Sequence, residues 1–477
     1  MLGYILLALV AAFFAVVLIR TLNFKPKAQP EISDEEITFD RDNAVQNLAE
    51  LVRCKTISYL DFSLEDETEF RKLIDKLPGL YPHVFKACTF QELPGRALLF
   101  KWPGKAHSDP AVLMAHYDVV PVNEENWEKP PFAGIIEDGH LWGRGTLDTK
   151  VTMNAVLCAA DHLIAEGYTP AADIYFAFSG GEEISGPGAA NIVELFRKNG
   201  ITPAIVVDEG GAVVENVFPG VKQPCGLIGL AEKGMINAQF RCMSAGGHAS
   251  APKPHTPVGI LAKACCKVEN TPFKSHIDGP AAQMFDTLGR HSNFLYRMIF
   301  ANLWCFGWVI DLLGKSSGGE MNAIIRTTVA FTQMEGSSAS NVIPPEARMV
   351  ANMRLNPADS VESALDYLRK TVNDDSIEIT ALESSEPSRV STTQCDGWNR
   401  VAASVAETWP GCIVSPYLMV QCSDSRHWGA ISDRVYRFSA MDLTKEERAS
   451  IHGNNERIRL ETVGKAVEFY IRLMKKC

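Results

Sequence analysis

From Leu2 to Ile19 the chain is an unbroken run of apolar residues and glycine, with Tyr4 supplying its only hydroxyl. A run of that length crosses a bilayer as one helix. No Lys or Arg precedes it, Arg20, Lys25 and Lys27 follow it, and no small-residue cleavage site closes it. These features favour an uncleaved anchor over residues 1–22 against a removed signal peptide. The basic flank places the body on the cytoplasmic side by the positive-inside rule. Residues 23–39, holding several prolines and acids, read as a tether.

Beyond residue 40, short apolar runs alternate with stretches at helical spacing. Residues 111–115 form a continuous apolar run suited to a strand buried on both faces. A helix over 151–167, a strand over 173–178, a helix over 189–199 and a strand over 204–207 follow. That alternation predicts an α/β fold with a mostly parallel sheet and helices on both faces. From residue 232 the texture changes to strand 235–242, helix 258–268, strands 324–334 and 347–355, helix 361–372 and strand 376–382. The β-α-β-β-α-β order is ferredoxin-like and predicts an inserted α+β lid over 232–383. The catalytic domain then comprises 40–231 and 384–477. Inside the insert, the aromatic-rich segment 294–313, with Trp304 and Trp308, reads as a buried helix packed on the sheet. Its alternative is a wall for an acyl chain, or a face resting on the membrane beside the anchor.

Composition narrows the function only a little. A formal charge of −11 argues against nucleic-acid binding, which needs a basic face. The twelve cysteines include no C-x-x-C pair, so neither a thiolate zinc site nor a disulfide frame is expected.

The chemistry sits in four polar clusters at predicted strand ends or their connections. They are His116 and Asp118 in MAHYDVVPV, Asp148 in WGRGTLDTK, Glu182 and Glu183 in FSGGEEISGPGA, and Asp208 and Glu209 in VVDEGG. Ligands of open parallel sheets bind beyond the carboxyl ends of the strands, where such clusters converge. Carboxylates mixed with imidazoles suit a pair of divalent ions, zinc first, and a further histidine is offered by His452 in SIHGNNERI. Of two adjacent glutamates, one can bind metal while the other accepts a proton from water.

These motifs, with GGHASAP, NAIIRTT, NVIPPEA and SDSRHW, resemble the dinuclear zinc peptidase family of aminoacylases, carboxypeptidase G and yeast carboxypeptidase S. The resemblance runs from about residue 45 to the end and is strongest toward the N-fatty-acyl-amino-acid hydrolase/synthase branch. It implies two zinc ions, one held by His116 and Glu209, the other by Glu183 and His452, with Asp148 bridging. It makes Glu182 the general base and Asp118 the residue that orients His116. It ranks Asp208 below Glu209. His248 would stabilise the oxyanion, often from a partner subunit, Asn341 would contact substrate, and Arg426 would pair with the substrate carboxylate. Thr149 stands where relatives often carry a second Asp.

The expected activity is hydrolysis of the amide bond of an N-acyl amino acid, N-fatty-acyl ones included, next to a free carboxylate. The alternatives are a carboxypeptidase or dipeptidase acting on short peptides, and a non-catalytic module that binds amino-acid-like ligands. The expected partners are the small substrate, the membrane through the N-terminal helix, and a second copy through the lid.

Overall fold

A computed structural model describes residues 1–477 except Glu31 and Asp34. Its larger sheet has eight strands: β1 (Thr89–Leu93), β2 (Ala97–Trp102), β3 (Ala106–His116), β4 (Ala172–Ser179), β5 (Ile205–Val214), β6 (Cys225–Glu232), β11 (Ile413–Met419) and β12 (Val435–Leu443). The spatial order is β1-β2-β4-β3-β5-β12-β6-β11. The pairs β4–β3, β3–β5, β5–β12 and β6–β11 are parallel, while β1, β2 and the β12–β6 contact are antiparallel. The sheet is therefore mixed, mostly parallel.

Strand β3 shows why its apolar run has no polar alternation. Ala111, Leu113 and Ala115 enter the core on one face, Val112 and Met114 the core on the other. Successive strand residues point to opposite faces, so a strand covered on both must be apolar throughout. The first face is covered by α2 (Arg41–Val52), α3 (Lys150–Ala165), α8 (Asp396–Thr408) and α9 (Leu460–Lys475), the second by α4 (Gly188–Lys198).

The second sheet has four antiparallel strands, β7 (Gly234–Met243), β8 (Thr328–Glu335), β9 (Glu346–Leu355) and β10 (Ile377–Ser385), in the order β8-β9-β7-β10. That order matches the ferredoxin-like expectation, and the sheet has its own core built on Phe240, Met349, Met353 and Leu368. The expected strand over 324–334 is shorter. Residues Gly319–Ile325 are helical, and the strand starts at Thr328. The buried Arg326 guanidinium, bonded to the Phe273 carbonyl and to Asp311, fixes the break.

The segment 294–313 also departs from expectation. It forms two helices, α6 (Phe294–Ala301) and α7 (Leu303–Ser317), bent by 113°. With α5 (Gly279–His291) they pack through Met284, Phe285, Leu288, Phe300 and Ile310 into the core of the larger sheet. Much of their outer surface is exposed, including Trp304 and Trp308. An apolar composition does not distinguish a face covered by protein from one left open.

The apolar N-terminal run is the helix α1 (Leu2–Asn23), exposed along nearly its whole length. The stretch that follows lies along the body. The Lys25 carbonyl accepts from Arg290, Lys27 pairs with Asp286 at 2.6 Å, and Glu35 pairs with Lys475 at 2.7 Å. All twelve cysteines are free.

Candidate active site

The expected residues from the strand ends meet. Strands β3 and β4 are parallel with His116 opposite Ser179, so the turn after β4 delivers Glu182 and Glu183 beside His116. Glu209 lies within β5, which continues beyond the expected end to Val214. The chain leaves Glu209 through two glycines. Gly210 has φ +142°, and a Cβ there would stand 2.6 Å from the Met419 sulfur; one on Gly211 would stand 1.8 Å from the Leu227 carbonyl. A side chain at either position would push β5 away from its neighbours.

Asp148 sits in the loop before α3 with one carboxylate oxygen 2.9 Å from His116 Nε2 and the other 3.0 Å from His452 Nε2. Glu209 is 3.5 Å from His116 Nε2, and Glu183 is 3.2 Å from His452 Nε2. Two sets of donors close enough to share a cation follow from this packing, His116 with Asp148 and Glu183, and His116 with Glu182 and Glu209. Imidazole nitrogens and carboxylate oxygens with Asp148 between two histidines form a donor set that fits two divalent ions. His452 has φ +59° and is followed by Gly453, so a tight left-handed turn aims its ring inward.

Crowding of charge perturbs every member. Burial pushes Glu209 up to about 8, and burial likewise raises Glu182 and Glu183. His452 is raised to about 10 by its hydrogen bonds to Asp148 and Glu183. Burial alone would lower His116, but the Glu209 charge and its bonds to Asp118 and Asp148 raise it. Burial would raise Asp148, yet the two histidines hold it below the usual carboxylate range. Acids gathered with histidines in one cluster, their protonation perturbed by burial and by one another, mark a functional centre.

Beside the expected Asp118 and Asp208, the supports include Ser58, Glu456 and Asp424, which the motifs do not mark. The Asp118 carboxylate accepts from the Glu182 and Glu183 backbone N–H groups at 3.1 and 3.2 Å and from Ser58 Oγ at 2.6 Å. Its backbone carbonyl, 3.0 Å from His116 Nδ1, is the nearer partner of the ring. Asp118 thus ties the histidine to the glutamate turn. Glu456, fully buried, accepts from Arg144 and from the N–H groups of Gly145, Leu147 and Asp148, which fixes the Asp148 loop. Asp208 is buried beneath the cluster and accepts from the Ser425 N–H at 2.9 Å. Asp424 accepts from Ser179 Oγ and is pushed up to about 7, first by burial. No periodicity marks such groups, because a buried polar side chain is recognised by its partners.

Arg426 lies in the Asp424–Ala430 turn beside this network, half-buried, and forms no ion pair among the described residues. His248 and Asn341 are not brought to the cluster. Both are exposed: His248 ends the short strand Gly247–His248, which pairs with Val342–Ile343, and Asn341 is the turn residue just before that second strand, its carbonyl accepting from the Ala249 N–H.

The cluster floors a cavity of about 720 Å³. Asp148, Glu182, Glu183, Glu209 and His452 form its polar end; Val214, Val217, Leu227, Met441, Leu443 and Ile451 supply an apolar wall.

Comparison with known proteins identifies the family. The family model described as Peptidase family M20/M25/M40 matches residues 112–476. An N-fatty-acyl-amino acid synthase/hydrolase of Xenopus tropicalis is 35% identical over 97% of this chain and 92% of its own. A probable carboxypeptidase S-like protein of Dictyostelium discoideum is 33% identical over 96% and 90%. An M20 family metallo-carboxypeptidase from Sulfolobus solfataricus shares the fold, with TM-score 0.65 and 19% identity over 91% of this chain and 98% of that one. The chain belongs to peptidase family M20/M25/M40 and is a metallopeptidase-type hydrolase.

Proposed function

We propose that the protein hydrolyses the amide bond of N-acyl amino acids with an apolar acyl group, next to the free carboxylate, and that its ions are zinc. The observation that carries this reading is the cavity. One cavity is lined by the histidine–carboxylate cluster and by Val214, Val217, Leu227, Met441 and Leu443, with Gln421, Ser439, Lys445 and Arg448 also on its lining. The apolar part gives an acyl chain a surface to bury against.

In this reading His116 and Glu209 would hold one ion and Glu183 and His452 the other, with Asp148 serving both. The ions would supply polarisation of the amide carbonyl and a lowered pKa for water. Glu182 accepts a proton from water as the water oxygen bonds to the amide carbon. It then delivers that proton to the nitrogen as the C–N bond breaks, releasing a carboxylate and an amino acid. Burial that raises Glu182 supports the role, since a base that must hold and return a proton works best near the operating pH. Arg426, free of an acidic partner, receives the substrate carboxylate through its planar fork. His248 and Asn341, held side by side by the Ala249 N–H to Asn341 carbonyl bond, reach the substrate as a unit on closure or from a second copy.

The unit 232–383, apart from α5, α6 and α7, which pack on the larger sheet, serves as the lid in this reading. We further infer that α1 stays attached as a membrane anchor. Its Val17 carbonyl and Thr21 hydroxyl accept from the buried Asn302, contacts that cleavage would remove. The basic residues after it favour a cytoplasmic body.

The test is a substrate panel. N-oleoyl amino acids should be cleaved with higher kcat/KM than acetylated ones and simple dipeptides. Preference for dipeptides would replace this reading with a dipeptidase, in keeping with the carboxypeptidase-like relatives.

A further inference from the structure

We propose that α6 and α7 lie in the surface of a lipid bilayer beside α1, so that the body rests on the membrane over a defined face. The proposal builds on the reading of α1 as an anchor.

The apolar surface of α7 is organised. Trp304, Trp308 and Leu312 recur at four-residue spacing and are 58%, 66% and 57% exposed, while Ile310 and Gly314 face the protein. Residues four apart share one face of a helix, so the stripe is a continuous outward ridge. Phe294 and Leu295, at the start of α6, are exposed as well. An exposed apolar ridge of this kind on a soluble face is unusual and marks an interaction surface.

What covers it is set by continuity with α1. Asn302, at the α6–α7 bend, is fully buried and donates to the Val17 carbonyl and to Thr21 Oγ1, both at 3.2 Å. Arg20 Nε donates to the Ala301 carbonyl at 3.2 Å, and the Phe13 ring meets Trp304 edge-on at 5.7 Å. At the exit of α1, the Arg290 guanidinium stacks over Phe24 at 4.2 Å. The hairpin is therefore joined to the last turns of the spanning helix.

The level of that junction decides the occupant. Arg20 marks the end of the apolar run, and Phe13 lies seven residues earlier, about 10 Å deeper at 1.5 Å per residue. Trp304 is held at that depth, which lies within the headgroup and acyl boundary where in-plane amphipathic helices settle. Tryptophan is enriched at this level because its ring is apolar and its N–H polar. If α1 spans the bilayer, the ridge of α7 has lipid as its neighbour.

The experiment uses the full chain in phosphatidylcholine vesicles whose acyl chains carry bromine near the headgroup, a short-range quencher of tryptophan. Of eight tryptophans only Trp304 and Trp308 are exposed, so the signal is selective. Insertion of α1 is scored separately, by resistance to alkaline extraction. The proposal predicts strong quenching in the parent chain and loss of most of it in W304F/W308F, with each single variant losing part. Equal quenching in parent and double variant overturns it. So does absence of quenching together with cross-links between α7 ridges, which would make the occupant a second copy. Release by alkali with quenching retained would remove the anchor and leave the surface contact standing; release without quenching would remove both.

Discussion

One carboxylate oxygen of Asp148 lies 3.0 Å from Nε2 of His452, a contact that joins the loop before α3 to the turn before α9. Because the other oxygen faces His116, Asp148 is the only one of the clustered acids in contact with both histidines. The arrangement makes the two halves of the site separable. In H452A the ion assigned to Glu183 and His452 should be lost or weakened more than the one at His116, whereas D148N should weaken both. Metal content by mass spectrometry after dialysis distinguishes the two; equal depletion by H452A would contradict the assignment.

Glu182 is assigned chemistry and no ion. E182Q should retain the parent metal content and lose kcat by about 10²- to 10⁴-fold, the usual worth of a positioned general base. Activity near the parent level with metal retained would give the base role to another group.

The buried Glu456 acts through Asp148. E456Q keeps the shape but removes the charge that accepts from Arg144, so the loop holding Asp148 should loosen. Metal affinity should fall by about 10- to 100-fold, the typical effect of disturbing a group behind a ligand. Activity should return when metal is added in excess. A variant that stays inactive at saturating metal, though folded by circular dichroism, would give Glu456 a different role.

Acid–base linkage gives a stability prediction for the metal-free protein. Glu209 rises to about 8 and His452 to about 10, and Glu182, Glu183 and His116 shift the same way. Between the unfolded values, 4.5 for the acids and 6.5 for the histidines, and these raised values, the folded chain binds more protons than the unfolded one. The contribution of these groups to stability therefore falls as pH rises through that window. Asp148, lowered, acts oppositely but only at acid pH. Above about pH 7, Lys233 and Lys150, lowered by burial to about 7 and about 8, act oppositely. The Tm of the chelated protein should therefore drop mainly from about pH 5 to about pH 7, and added zinc should restore more at higher pH, because ligands bind metal deprotonated. A Tm that rises over this range without metal would contradict the assigned charge states.

How far the sequence foretold this site depended on the kind of signal. The unalternating run at 111–115 gave a doubly covered strand, and polar residues directly after such runs gave His116, Glu182 and Glu209 at one edge of the sheet. The order of elements from residue 235 gave the second sheet. Strand β1, antiparallel at the sheet edge, is largely exposed and carries no strong apolar pattern, whereas β2 beside it is a short buried run whose antiparallel pairing with the distant β4 no turn signal announces. The strand expected from 324 was cut short by Arg326, whose partners Phe273 and Asp311 are distant in the chain. Glu456 and Ser58 were hidden for the same reason. Their importance lies in what they bond to, which only the folded arrangement discloses.

Anomalous diffraction at the zinc absorption edge, from crystals of the zinc-loaded protein, is the most direct measurement. Two peaks should flank Asp148, one beside His116 and Glu209, the other beside Glu183 and His452. A single peak away from Asp148, or none, would contradict a two-ion centre at this site.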